Sequence, residues 1–212
     1  MMKYIEVLIE RYPQLEASTE AIWQAYKLLE ECYEAGGKLL VAGNGGSASD
    51  AEHIVGELMK GFVHPRKIDD KLKDRLIKVD FDMGTDLAKK LQEALPAIAL
   101  CGHSSLSTAI LNDINGTIGF AQQLHGYGRQ NDVFLGISTS GNSANILQAA
   151  IVAKAKGIKV IGLTGKFGGK LLNLADVTIR VPEEETYKIQ ELHLPIYHCL
   201  CMMLEKYFFG NS

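Results

Sequence analysis

A short apolar run, Lys38 to Ala42, breaks into Gly43-Asn44-Gly45-Gly46-Ser47 and then into a helical pattern. Few folds accommodate that order. The apolar run reads as a buried strand, and the glycines give a tight turn in which backbone N–H groups approach a ligand closely. Ser47 and Ser49 are candidates to cap the helix that follows. Strand, glycine turn and helix N-terminus together form a site for an anionic group, most often phosphate. On the helix, His53 and Glu57 stand four residues apart and share a face, so the anion cradle opens onto groups that move protons or bind metal.

The same alternation recurs along the chain. Apolar runs at Pro96–Cys101, Asp132–Ile137, Ile158–Leu163 and Asp176–Val181 are separated by helical patterns, including Ala144–Lys156 and a long one from Thr186 to Phe208. Five short strands alternating with helices predict a three-layer, doubly wound α/β fold with a parallel five-stranded sheet. Ligands bind such sheets at the carboxyl ends of the strands, near the point where strand order reverses. Residues 1–36 read as N-terminal helix interrupted at Pro13 and stopped by Gly36-Gly37. The polar stretch 64–95 reads as an insertion with short helices, solvated or acting as a lid, within a single domain spanning 1–212.

A second polar cluster, Ser138-Thr139-Ser140-Gly141-Asn142-Ser143, follows the Asp132–Ile137 strand. One helix cap needs one hydroxyl; four hydroxyls in six residues suit the several acceptor oxygens of a phosphate. No Gly-Lys-Ser/Thr follows either turn and the dinucleotide glycine pattern is incomplete, so no nucleotide cofactor is expected. No Gly-x-Ser-x-Gly elbow supports a hydrolytic triad. In the last helical pattern Gln190, Glu191, His193 and His198 interrupt an apolar face, and Pro195 is expected to bend it.

Composition narrows the rest. The chain is 47% hydrophobic with a formal net charge of −3, which argues against nucleic-acid or anionic-membrane partners. Cys32, Cys101, Cys199 and Cys201 lack metal-knuckle spacing and read as buried reduced thiols of a cytoplasmic protein. No apolar run approaches membrane-spanning length.

These motifs, together with Leu163-Thr164-Gly165 and Ile189-Gln190-Glu191-Leu192-His193, resemble the phosphoheptose isomerase family of sugar isomerase (SIS) domain proteins over nearly the whole chain. The resemblance implies an aldose–ketose isomerase acting on sedoheptulose 7-phosphate in the cytoplasm, a homotetramer or homodimer with active sites between subunits. It implies Glu57 as base and His198 as acid. Asn44, Gly45, Gly46, Ser47, Asp113, Ser138, Thr139, Ser140, Ser143 and Gln190 match substrate-binding positions. His53, Glu57, Gln190 and His198 match zinc ligands of some members. Gln190 and His198 lie about 12 Å apart along a regular helix, so one shared ion requires a bend or two subunits. The chain departs from the family at Tyr187, where Asp often stands, and at Lys60-Gly61, which replaces Gly-Arg; both departures are expected on the substrate side. A non-catalytic SIS module, like the one that binds the bacterial replication initiator, lacks the His/Glu and distal His set. A phosphosugar-sensing regulator would carry a helix-turn-helix segment ahead of the domain.

Overall fold

A computed structural model describes residues 1–210. Helix α1 (Met2–Arg11), a 3-10 segment (Pro13–Ser18) and α2 (Thr19–Glu34) precede β1 (Leu39–Ala42) and α3 (Gly46–Met59). A helical hairpin, α4 (Asp70–Val79) and α5 (Phe81–Lys90), leads to β2 (Ala97–Ala99). Then come α6 (Ser104–Ile110), a π-helical turn (Leu111–Asn115), a 3-10 turn (Gly116–Ile118), α7 (Gly119–Tyr127) and β3 (Val133–Ile137). The chain continues through α8 (Ala144–Ala155), β4 (Lys159–Thr164), a 3-10 turn (Gly169–Asn173), β5 (Val177–Arg180) and α9 (Thr186–Phe209).

All five strands are parallel, in the order β2-β1-β3-β4-β5. Strand order reverses between β1 and β3, where Leu39 pairs with Val133 and Ala42 with Gly136. The period-2 pleat sorts the strand residues cleanly. Leu39, Val41, Val133, Leu135, Ile137, Ile161 and Leu163 face one buried cluster with α1, α2, α3 and α9. Leu40, Ala42, Phe134 and Val160 face a second cluster with α7 and α8. Helices on both faces explain why the strand sequences are apolar without alternation.

The Pro13 interruption is a 3-10 segment with proline in its first turn, where a missing N–H costs nothing. Pro195 interrupts less than expected: α9 runs unbroken across it, and the proline is buried in the helix face. Within the stretch 64–95, α4 and α5 pack chiefly on each other, with only Gly84 buried. Its beginning, however, is not polar excursion. Arg66 is fully buried and pairs with buried Glu205 at 2.9 Å. Its guanidinium also donates to the carbonyls of Leu58 (2.6 Å) and Glu57 (3.0 Å), the last turn of α3. Glu205 accepts in turn from the backbone N–H groups of Phe62, Val63 and His64. That network locks the ends of α3 and α9 together.

Candidate active site

The two polar turns emerge from β1 and β3, the strands that flank the reversal, and so lie side by side at the carboxyl edge of the sheet. Asn44 and Asn145 exchange side-chain hydrogen bonds of 3.0 and 2.8 Å, tying the first turn to the start of α8. Neither α3 nor α8 has a side-chain cap, and neither carries an acidic residue in its first turn. Both N-termini therefore keep their dipole for an anion, although the Ser47 and Ala48 N–H groups bond back to the Asn44 and Gly45 carbonyls and the Ile146 N–H to Asn145 Oδ1.

Capping differs from expectation. The residue before α3 is Gly45, at φ 56°, while Ser47 is buried within the first turn. Glycine takes the cap because the turn needs a positive φ, which serine resists. A Cβ at Gly46 would stand 2.7 Å from the Gln190 amide, so glycine there lets α9 press its amide against the turn. Ser143 precedes α8 without capping it; its hydroxyl pairs with that of buried Ser138 at 2.9 Å. Gly141 sits at φ 65° with the Gly168 carbonyl 1.9 Å from where a Cβ would lie. Ser140 is exposed and its hydroxyl accepts from the Asn142 N–H at 3.1 Å, while Thr139 holds the Gly165 N–H through its carbonyl at 2.9 Å.

α3 and α9 run side by side in the same direction, with Gln190 at Gly46 and His198 beside His53. His53 Nε2 lies 3.2 Å from Glu57 Oε1, and the His53 and His198 ring centroids are 5.0 Å apart, edge to face. Among the described residues neither Glu57 Oε2 nor His198 Nε2, both buried, has a hydrogen-bond partner. Atoms of that kind are satisfied by a substrate oxygen or a metal. Burial, then the nearby His53, pushes the His198 imidazole below its usual pKa despite the opposing Glu57 charge. Tyr197 and Asp50, which sequence reasoning missed, and Lys60, which it expected on the substrate side, complete the cluster. Tyr197 hydroxyl lies 3.0 Å from His53 Nδ1 and donates to Asp50 Oδ1 at 3.2 Å. Lys60 places its ammonium 3.6 Å from Glu57 Oε2, so the Lys60-Gly61 departure touches the base itself. Asp50, one helical turn before His53, carried a legible signal; Tyr197 did not, because a tyrosine within an apolar helical pattern reads as core.

Not every expected residue joins. Asp113 is exposed on the π-helical turn, its carboxylate bonded to Asn112 at 2.8 Å. Gln190 serves the glycine turn, eight residues from His198 on the unbroken α9. Among the described residues, no three His, Cys, Asp or Glu side chains gather closely enough to hold a metal ion.

A sequence profile for the SIS domain matches residues 3–72 and 81–165. The chain is 41% identical to the phosphoheptose isomerase of Aneurinibacillus thermoaerophilus over 86% of its own length and 79% of the relative's. It is 36% identical to that of Sulfurimonas denitrificans across 100% of this chain and 99% of the relative. This chain belongs to the phosphoheptose isomerase family of SIS-domain proteins. Solved structures agree. The phosphoheptose isomerase from Francisella tularensis superposes with a TM-score of 0.76 at 35% identity, covering 96% of this chain and 95% of that one. The Neisseria gonorrhoeae enzyme gives 0.74 at 32% identity, with 97% and 96% covered.

Proposed function

We propose that this chain is an aldose–ketose isomerase that interconverts sedoheptulose 7-phosphate and D-glycero-D-manno-heptose 7-phosphate through an enediol. The observation that carries the reading is the convergence of Glu57, His53 and His198 on α3 and α9, whose first turns flank an uncapped anion cradle, in a chain of this family. Phosphate is held by the N-termini of α3 and α8 with Ser47, Ser138, Thr139, Ser140 and Ser143. Asn44, Gly45, Gly46 and Gln190 line the sugar, with Asp113 contributing from the rim. His53 stands about 10 Å along α3 from Gly46, a span that an extended sugar chain bridges.

Glu57 removes a proton from C1 of the ketose and returns one to C2, while the C2 carbonyl oxygen takes up a proton to become a hydroxyl and the C1 hydroxyl gives up its own to become the aldehyde carbonyl. His198, kept neutral by its burial, polarises the carbonyl oxygen as a hydrogen-bond donor, the role a neutral imidazole plays in other sugar-phosphate isomerases. The family resemblance is what supports zinc here: His53, Glu57 and His198 are of the ligand types zinc takes, and Gln190 of a second subunit would join a set that the described residues of one chain do not gather closely enough to hold the ion. Bound there, it would stabilise the negative charge of the enediolate. An open groove of about 850 Å³ between α1 and α9, with Tyr4, Leu8, Phe62 and Met202 in its walls and His198 among its lining, supports self-association that places active sites between subunits. Four free thiols support a cytoplasmic setting.

The test is isomerisation of sedoheptulose 7-phosphate beside pentose and hexose phosphates, with and without chelator. Preferential heptose turnover is expected, and sensitivity to chelator would assign zinc. Binding of phosphosugars with no turnover of any would replace the enzyme by a binding module.

A further inference from the structure

Tyr197 occupies a place that the reaction above does not use. Its hydroxyl sits between two hydrogen-bonding groups, Asp50 Oδ1 at 3.2 Å and His53 Nδ1 at 3.0 Å, and the residue is almost wholly buried. A phenol has one hydrogen to give. With Asp50 ionised its carboxylate can only accept, so that hydrogen goes to Asp50 and leaves the phenol oxygen as an acceptor. His53 must then present an N–H from Nδ1, which turns the bare Nε2 toward Glu57 Oε1, 3.2 Å away. We propose that Tyr197 is a positioning residue, which with Asp50 fixes His53 in its Nδ1–H form and aims the Nε2 lone pair at the base Glu57.

The consequence is local and specific. Nε2 and Oε1 are then two lone-pair atoms facing each other, an arrangement that is favourable only with a proton or a cation between them. The relay thus prepares His53 to share the Glu57 proton or to ligate a metal, as an outer hydrogen-bond partner does for other histidine ligands. Edge-on ring contacts to His53 (5.5 Å) and His198 (5.1 Å) hold the phenol in place. The inference rests on the proposed isomerase reading only for its kinetic part.

The experiment is nitrogen NMR of 15N-histidine-labelled, chelator-treated protein, with His53 assigned through His53→Gln, followed by kinetics of Tyr197→Phe. Wild-type His53 is expected as the Nδ1–H tautomer, and Tyr197→Phe as a mixture of tautomers. The same variant should lose about ten-fold in kcat while KM for the sugar phosphate stays within about two-fold, because the anion cradle is untouched. A wild-type His53 protonated at Nε2 alone, or a Tyr197→Phe enzyme with unchanged kcat, would overturn the proposal. A wild type that turns over no sugar phosphate defeats the isomerase reading, while the tautomer measurement still decides the role of Tyr197.

Discussion

Two histidines of α9, half-buried His198 and fully buried His193, do different work. His198 keeps contact with the site, whereas His193 is fully buried and, among the described residues, neither of its ring nitrogens has a hydrogen-bond partner. Burial pushes His193 down to about 4. The unfolded chain binds a proton near pH 6.5 that the folded chain refuses, so stability is whole above that pH and falls as the pH drops toward 4. The full loss is about 3 kcal/mol from this residue. Urea unfolding of wild type and His193→Phe between pH 7 and pH 4 should show a steeper decline in the wild type; parallel declines would refute the assignment. At the reacting end, Glu57→Gln should leave the circular dichroism unchanged and reduce kcat by about 10² to 10⁴, the range for a general base. Both histidines stand out in the sequence as breaks in an apolar pattern. Five residues apart, they lie about 140° apart around α9; which neighbour each meets across α3 and β4 is set by packing that the sequence does not show.

At the scale of elements, α3 is the piece on which the site is mounted, and both of its ends are fixed by unlike means. Its first turn depends on glycine, since a Cβ at Gly46 would stand 2.7 Å from the Gln190 amide; on the facing turn, before α8, a side chain at Gly141 would strain a positive φ and strike the Gly168 carbonyl. Gly141→Ala should therefore cost about 1 to 3 kcal/mol and weaken inorganic phosphate binding, read by calorimetry. Its last turn is closed by Arg66, whose guanidinium takes two helix carbonyls and the Glu205 carboxylate. Removing one member of a buried ion pair leaves the other uncompensated, so Arg66→Ala should lose about 3 to 5 kcal/mol in chemical unfolding. Wild-type stability in that variant would show the network to be dispensable. The strands and the two polar turns were legible because glycine, hydroxyl clusters and apolar runs have local causes. Arg66 was not: an arginine among lysines and aspartates reads as solvated surface, and only its partner 139 positions away on α9 makes it core.

For the whole molecule, the order β2-β1-β3-β4-β5 sets where chemistry can occur, because both anion turns flank the one reversal of strand order. We propose that the rest of the chain forms one domain around that sheet and that α4 and α5 are an appended hairpin. The hairpin's closure supports this reading: Lys67 bridges Gln92, and the Glu93 N–H donates to the Arg66 carbonyl at 2.8 Å, both outside the two helices. Replacing residues 70–90 by a short Gly-Ser linker should leave turnover within about three-fold and shift the melting temperature by only a few degrees. Loss of turnover with an intact fold would make the hairpin a lid. The central claim is proton transfer by Glu57 between C1 and C2, and isotope exchange tests it directly. In heavy water, product formed from sedoheptulose 7-phosphate should carry deuterium at C2, and Glu57→Ala should abolish both the label and turnover. Heptose product without solvent deuterium, or undiminished labelling in Glu57→Ala, would contradict the account.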